Sequence, residues 1–261
     1  MFIEELTTKF ATFFPEINTA LGAGIMIFAR ILGLMRFAPL LNRKEIPVMA
    51  KVAFSLLFTV LMVSVLKPSA PPANASLFYG IIINYIFGAL IGYVAYCVVA
   101  AVEAGGDMIN MQMGMSSAMV LDPTTSAQVS IVGKFIGLFG LLIFVEIGGV
   151  YWVLDAFTRS FDVFPIYATS IPLEKVVNTD YVMKITSNIL YVGLQFASPV
   201  LLATLGQDII LGIISKTAPQ INVFQLSFLF KPVFGAAILL WILPILYGII
   251  TDYFISYSNL F

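Results

Sequence analysis

Six apolar stretches, at about 20–41, 46–66, 77–102, 131–158, 185–206 and 233–256, occupy most of this chain. A membrane-spanning helix needs about 20 apolar residues. Backbone inside a bilayer must satisfy its own N–H and C=O groups, so only helices and closed barrels cross. A barrel would show segments of roughly 10 residues with alternating polarity, and the sequence has none. The chain is expected to be an all-α membrane protein. Composition points the same way: 60% of the 261 residues are hydrophobic and 10% charged, against about 25% charged in a soluble domain. Too little polar surface remains to solvate a globule of this size.

The breaks between runs set the connections. Arg43-Lys44-Glu45 separates the first two runs, and Pro68, Pro71 and Pro72 follow the second. Proline cannot sit in a helix interior without loss of a hydrogen bond, so the second and third runs should form a hairpin. The region 159–184 is more polar, holds Pro165 and Pro172, and reads as a surface loop with short helical pieces. Arg43, Lys44 and Lys51 put the first connection on the cytoplasmic side by the positive-inside rule. Alternation then puts the 103–130 connection there too, although it carries Glu103, Asp107 and Asp122 and no Lys or Arg. Glu4 and Glu5 precede any apolar core, so no secretory signal is expected at the N-terminus.

Ionisable residues lie inside or at the edge of the runs: Arg30, Arg36, Lys51, Lys134, Glu146, Asp155, Arg159, Asp208 and Asp252. Lys51, Lys134 and Asp252 fit side chains that snorkel from helix ends. Arg30 and Arg36 do not. Six residues apart, they lie about 240° apart around a helix, and charges facing lipid are costly. Both are expected to be buried charges in a helix surrounded by protein, whether of this chain or of others. Gly88/Gly92 and Gly133/Gly137, with Gly140 extending the second stripe, have the spacing that lets helix backbones approach closely.

Several chemistries are excluded. A net charge of −1 gives no reason to expect a nucleic-acid partner. There is no His, and Cys97 is the single cysteine, so an intrachain disulfide, a His/Cys metal site and a His-based triad are all ruled out. Gly133-Lys134 is followed by Phe and is no phosphate-binding loop. Asp155, Asp208 and Asp252 lack the surroundings of an intramembrane aspartyl pair. No enzyme, cofactor or metal is expected.

Five of the eleven methionines fall between Met108 and Met119. Met108, Met111, Met115 and Met119 would share one helix face, as in a packed core stripe. Gly105, Gly106 and Gly114 weaken a continuous helix, and Asp122-Pro123 forces a turn or an extended stretch. The segment reads as a helix end, Met108 to Met111, running into a re-entrant loop in which Met113 to Met119 closes a pore. Such irregular backbone is tolerated at membrane depth only when buried in protein or lining a cavity. Methionine is flexible and polarizable and repacks around irregular shapes, which suits a seal that must yield to any side chain.

Two motifs carry a family resemblance. One is Gln112-Met113-Gly114 leading to Asp122-Pro123 and Gln128. The other runs from Gly212 through Ser215, Lys216, Pro219, Gln220, Asn222, Val223 and Phe224, with Lys231 seven residues on. Ala38-Pro39, Pro47 and Lys51 also fit. Over nearly its whole length the chain resembles the FliR family of flagellar type III export-gate proteins and their injectisome counterparts, and the Asp122-Pro123 region favours the flagellar branch. It departs from the family pattern at Lys216, where Arg is usual. Ser227 and Leu229 replace the common Gly and Pro. Asn84 stands where an acidic residue is frequent, so no carboxylate role carries over there.

The resemblance implies a channel-forming structural subunit of the flagellar export gate, taking unfolded flagellar proteins across the bacterial inner membrane at the flagellar basal body. It implies P-type and Q-type gate proteins and the B-type switch protein as partners within a helical multi-subunit assembly, with export energy supplied by other subunits and the proton-motive force. The chain would join a P-like part, about 1–180, to a Q-like helical hairpin, about 181–261. The pore plug would comprise Met108, Met111, Gln112, Met113, Gly114, Met115, Met119, Asp122 and Pro123. Pro219, Gln220, Asn222, Val223, Phe224 and Lys231 would form an assembly motif. Much of such an assembly sits raised from the bilayer, which would shelter Arg30 and Arg36. Two other readings stand beside this one. An injectisome subunit would have the same fold. A secondary transporter of a small solute would exploit helices broken at Pro199 and Pro244, although no pair of repeated halves is visible.

Overall fold

The structure, a computed structural model, describes residues 15–43, 45–68, 77–115, 130–167 and 179–258, with backbone alone for 15–18. Every regular element among them is a helix. These are α1 (Pro15–Phe37), α2 (Val48–Leu66), α3 (Leu77–Gln112), α4 (Ile131–Glu146), α5 (Gly149–Val163), α6 (Thr179–Thr217) and α7 (Val223–Ser258). Five helices are long and apolar enough to cross a membrane, or six if α4 and α5 form one bent span. The chain is an all-α membrane protein.

The helices differ from the apolar runs in ways that local chemistry explains. The run 131–158 is two helices. Ile147 donates its N–H to Ile143 O and Gly148 to Val145 O, and Gly148 takes φ 84, a left-handed value that favours glycine. The polar region 159–184 is less of a loop than expected, because α5 runs to Val163 and α6 begins at Thr179. Likewise the connection at 103–130 is helical as far as Gln112. Gly105 and Gly106 do not end α3. They are the points where its backbone meets neighbours: a Cβ on Gly105 would lie 2.8 Å from Gly193 O of α6, and one on Gly106 2.8 Å from Gly133 Cα of α4. Pro199, Pro232 and Pro244 lie inside α6 and α7, and both helices continue through them. The expected hairpin turn at 69–76 lies outside the described residues.

Two compact units organise the chain. One holds residues 1–96 and 151–179, the other 97–150 and 180–261. They follow spatial packing, a different division from the expected P-like and Q-like parts, which concern likeness to other proteins.

In the first unit α1 lies backbone to backbone against α3. A Cβ on Gly88 would overlap the Arg30 carbonyl oxygen, one on Gly33 would overlap Tyr85 O, and one on Gly92 would sit 2.5 Å from Leu34 O. The Gly88/Gly92 spacing thus has the partner its pattern called for. Lipid is as apolar as leucine, so such contacts hold by close packing rather than by exclusion of water. Around this pair Phe58 meets Phe157 at 5.7 Å, Phe157 meets Phe161 at 5.3 Å, and Phe87 meets Phe164 at 3.9 Å between ring centroids.

In the second unit the Gly133/Gly137/Gly140 stripe of α4 faces the end of α3. Added Cβ atoms would overlap Asp107 Oδ1 at Gly133, lie 3.2 Å from Glu103 Cβ at Gly137, and lie 2.8 Å from Val102 Cγ1 at Gly140. Aromatic contacts join the helices further along, with Phe144 edge-on to Phe254 at 5.5 Å and Phe196 edge-on to Tyr253 at 5.4 Å. Helices α6 and α7 form a long hairpin whose outer faces stay apolar and exposed, as at Leu202, Ile210, Phe224, Leu240 and Trp241.

Candidate functional sites: methionine segment, hairpin tip and arginine node

The methionine segment begins inside α3. Met108, Met111 and Gln112 belong to its last turns, as expected of a helix end. The chain then tightens: Met113 donates its N–H to Ile109 O at 2.9 Å, and Gly114 to Met111 O at 3.0 Å. Gly114 adopts φ 73, the left-handed residue that commonly ends a helix. Met115 is the last described residue here. Met119, Asp122, Pro123 and Gln128 lie outside the described residues, and so does the expected re-entrant path.

The methionines differ sharply in environment. Met111 is 62% exposed, whereas Met113 is 1% exposed. Met113 fills a hollow on α7: a Cβ on Gly235 would lie 2.5 Å from Met113 Cγ and 3.2 Å from its Sδ and Cε. The expected boundary put Met113 on the closing side. The structure instead makes it a packed side chain within this chain.

The root of the segment is also held to the start of α4. Ser130 Oγ accepts the Gly133 N–H at 2.9 Å as an N-cap, and Asn110 Oδ1 accepts the Val132 N–H at 3.4 Å. The Asp107 carboxylate sits against Gly133. A helix N-terminus leaves backbone donors unpaired and carries partial positive charge, so these groups suit the place they occupy. This gives Asp107 a place at the α4 N-terminus without invoking the bilayer's charge asymmetry.

The second candidate is the hairpin tip. Ala218 donates to Ile214 O at 2.9 Å and closes α6, and Ile221 donates to Ala218 O across the turn. Asn222 Oδ1 then accepts the Gln225 N–H at 3.2 Å and starts α7, the usual work of an N-cap. Pro219, Gln220 and Asn222 are exposed and Val223 is half-buried. Phe224 is 71% exposed, edge-on to Phe228 at 4.6 Å. Lys231 belongs elsewhere. It pairs with Asp208 at 2.7 Å and braces α7 against α6. Sequence spacing had no means of pairing it with Asp208, 23 positions upstream.

The third is the node around Arg30, whose side chain is fully buried. Its Nε donates to Asn84 Oδ1 at 3.0 Å, Nη1 to Ser160 Oγ at 3.0 Å and Nη2 to Phe164 O at 2.9 Å. The guanidinium stacks 4.0 Å from the Phe161 ring centroid and 5.6 Å from that of Phe87. No carboxylate pairs with it among the described residues. Aromatic faces and neutral acceptors hold the charge, each a stabilising contact for a desolvated guanidinium. Asn84 also donates, to Gly80 O at 2.8 Å and Ile166 O at 3.1 Å. Only an amide can accept from Arg30 and donate to two carbonyls, which rationalises Asn where an acid was expected. Arg36 is exposed in this chain, near Phe37, so none of its expected cover comes from the chain's own described residues. The angle around the helix explains the split, since the side that buries Arg30 turns Arg36 away.

Comparison with known proteins bears on what these sites serve. The family model described as "Bacterial export proteins, family 1" matches residues 21–256. The chain is 25% identical to the flagellar biosynthetic protein FliR of Bacillus subtilis strain 168, over 89% of this chain and 90% of that one. It is 24% identical to the Escherichia coli K12 protein of the same name, over 83% and 82%. It is 26% identical to the surface presentation of antigens protein SpaR of Shigella flexneri, over 61% and 62%.

Proposed function

The chain belongs to family 1 of the bacterial export proteins, and on that premise we propose that it is a subunit of the flagellar type III protein export apparatus. The observation that carries this reading is the breadth of the likeness. Proteins named for flagellar biosynthesis align along more than four-fifths of both chains, whereas the antigen-presentation relative aligns along about three-fifths. The injectisome counterpart is the second reading, favoured only by that shorter alignment.

The subunit is a structural part of the export channel in the inner membrane, at the flagellar basal body, without catalysis of its own. It assembles with P-type and Q-type gate proteins and the B-type switch protein. Residues 1–180 and 181–261 are its P-like and Q-like parts, and unfolded flagellar proteins pass through the channel. The exposed apolar faces of α6 and α7 and exposed Arg36 are covered by those neighbours. Co-purification of the chain as one copy with several P-type and Q-type subunits tests this; recovery alone from a membrane that contains them rejects it.

Within the channel, the segment from Met108 to Pro123 plugs the closed pore. The sealing residues are those after Gly114, because Asn110 and Met113 anchor the root. Deletion of 115–119 in the assembled gate should let ions leak across the membrane while the complex still forms. A tight membrane around an assembled deletion variant would remove the plug from this account.

A further inference from the structure

We propose that the corner between α1 and α2 binds an anionic phospholipid, with the phosphate at Arg43 and Lys51 and the acyl chains along the outer face of α2. Such a site requires only a membrane around α2 and is independent of the export reading.

Helix α2 is inside out by the standard of a soluble protein. Its buried residues are Ser55, Thr59 and Met62, and Ser55 Oγ donates to Met35 Sδ of α1 at 3.0 Å. Its exposed side carries Met49, Phe54, Leu57, Val60, Leu61 and Val65, and no charged residue lies between Lys51 and Lys67. That face suits hydrocarbon. Membrane helices that pack against protein are enriched in small residues, which let backbones approach. Helix α2 has no glycine, whereas the α6/α7 hairpin has Gly206, Gly212 and Gly248, at which an added Cβ meets nothing within 4 Å. The face of α2 therefore takes lipid rather than another helix.

One end of that face is positive. Met35 lies level with Ser55, and a Cβ on Gly24 would lie 3.8 Å from Val63 Cγ2, so α1 and α2 run antiparallel. Lys51, four residues before Ser55, is about 6 Å further toward the connection, where α1 ends at Phe37. Over residues 36–51 the sequence sets Arg36, Arg43, Lys44 and Lys51 against the single acid Glu45, in a chain whose net charge is −1. Glu45 reaches Arg43 at 3.9 Å, and both are partly open. Lys51 has no ion pair among the described residues, and the first turn of α2 has no acidic residue. Arg36, assigned above to a neighbouring subunit, adds to the positive field. Basic clusters beside a membrane helix attract anionic lipids of the cytoplasmic leaflet, the side on which the positive-inside rule puts this connection. An apolar face with a cationic end matches the two halves of one molecule, acyl chains and phosphate.

The test uses the full chain, purified with its native neighbours and placed in phosphatidylcholine vesicles. The vesicles carry a trace of either phosphatidylglycerol or phosphatidylcholine with a photoactivatable acyl chain. After illumination, peptides covering residues 48–65 should hold at least about fivefold more of the phosphatidylglycerol probe, the advantage expected of one cation beside an anionic lipid. The double variant Arg43→Gln with Lys51→Gln should bring the two probes level. If that variant fails to assemble, the wild-type complex at high salt takes its place, because screening weakens the hold of an exposed cation on phosphate, and the preference should shrink. Equal labelling of the wild-type α2 by the two probes overturns the proposal, since α2 then meets lipid without selecting it. A preference that survives removal of both charges overturns it as well, as does one that survives high salt where the variant cannot be made. Absence of both probes from α2, in a complex labelled elsewhere, means that protein covers this face, and the proposal falls.

Discussion

Two sets of glycines in this chain meet opposite surroundings. Gly33, Gly88 and Gly92 lie where a Cβ would run into the backbone of a facing helix, whereas Gly206, Gly212 and Gly248 on the hairpin would meet nothing within 4 Å. The α1/α3 pair is closed against its own chain, while these positions on the hairpin are open. The same contrast holds for cations. Arg30 has every donor arm engaged and no exposure, while Lys231 holds Asp208 with 21% of its side chain still open. One region has its partners within the sequence. The other presents small residues, bare apolar faces and a half-covered ion pair.

Substitutions that fill or empty these positions would break or sharpen that contrast. The largest effect is expected at Gly88. Its added methyl would strike the Arg30 carbonyl, which cannot swing aside, so Gly88→Ala should cost about 3 kcal/mol, at the top of the overpacking range. Thermal denaturation in detergent would show it, and an unchanged melting temperature would mean the α1/α3 backbones are not in contact. Next comes Arg30→Met, which leaves Asn84 Oδ1 and Phe164 O without their donor. Its expected cost is about 2 kcal/mol, from buried acceptors left unpaired. Equal stability of the two proteins would show that the node does not hold the first unit together.

The hairpin should respond differently. Asn222→Ala removes an N-cap worth about 1 kcal/mol at an exposed tip, and should weaken recovery of the whole complex while leaving ion tightness alone. Normal co-purification would end its role in assembly. Smallest of all is Gly212→Ala. In the isolated chain it should be neutral or stabilising by up to about 1 kcal/mol, through helix propensity. If it destabilises the chain as Gly88→Ala does, the distinction between closed and open positions disappears.

How much of this could be read beforehand follows from the range of each interaction. Apolar runs and glycine spacings are local, so the all-α membrane class and the close-approach helices were legible. Helix ends were less so, because α3, α6 and α7 extend through polar or glycine-containing turns that no apolar window includes. Arg30 was visible as an anomaly, but its acceptors lie 54, 130 and 134 residues away, and no spacing rule finds them. Arg36 is about 120° from Arg30 around α1 and is exposed in this chain, and residue spacing alone cannot tell cover by the same chain from cover by neighbours. The neighbour of Met113 was not legible because its hollow is a glycine more than a hundred residues downstream, and a glycine in an apolar run carries no outward sign of what fills it.

The start of α4 has a consequence for how this family can change. Its first donors are met by Ser130 and by Asn110, with Asp107 alongside, so two of the three groups come from before the stretch that intervenes. That stretch is not needed to tell α4 where to begin. Lengthening a connection costs little, about 0.6 kcal/mol for each doubling. The helices on either side of the connection can therefore keep their register when residues are inserted in it.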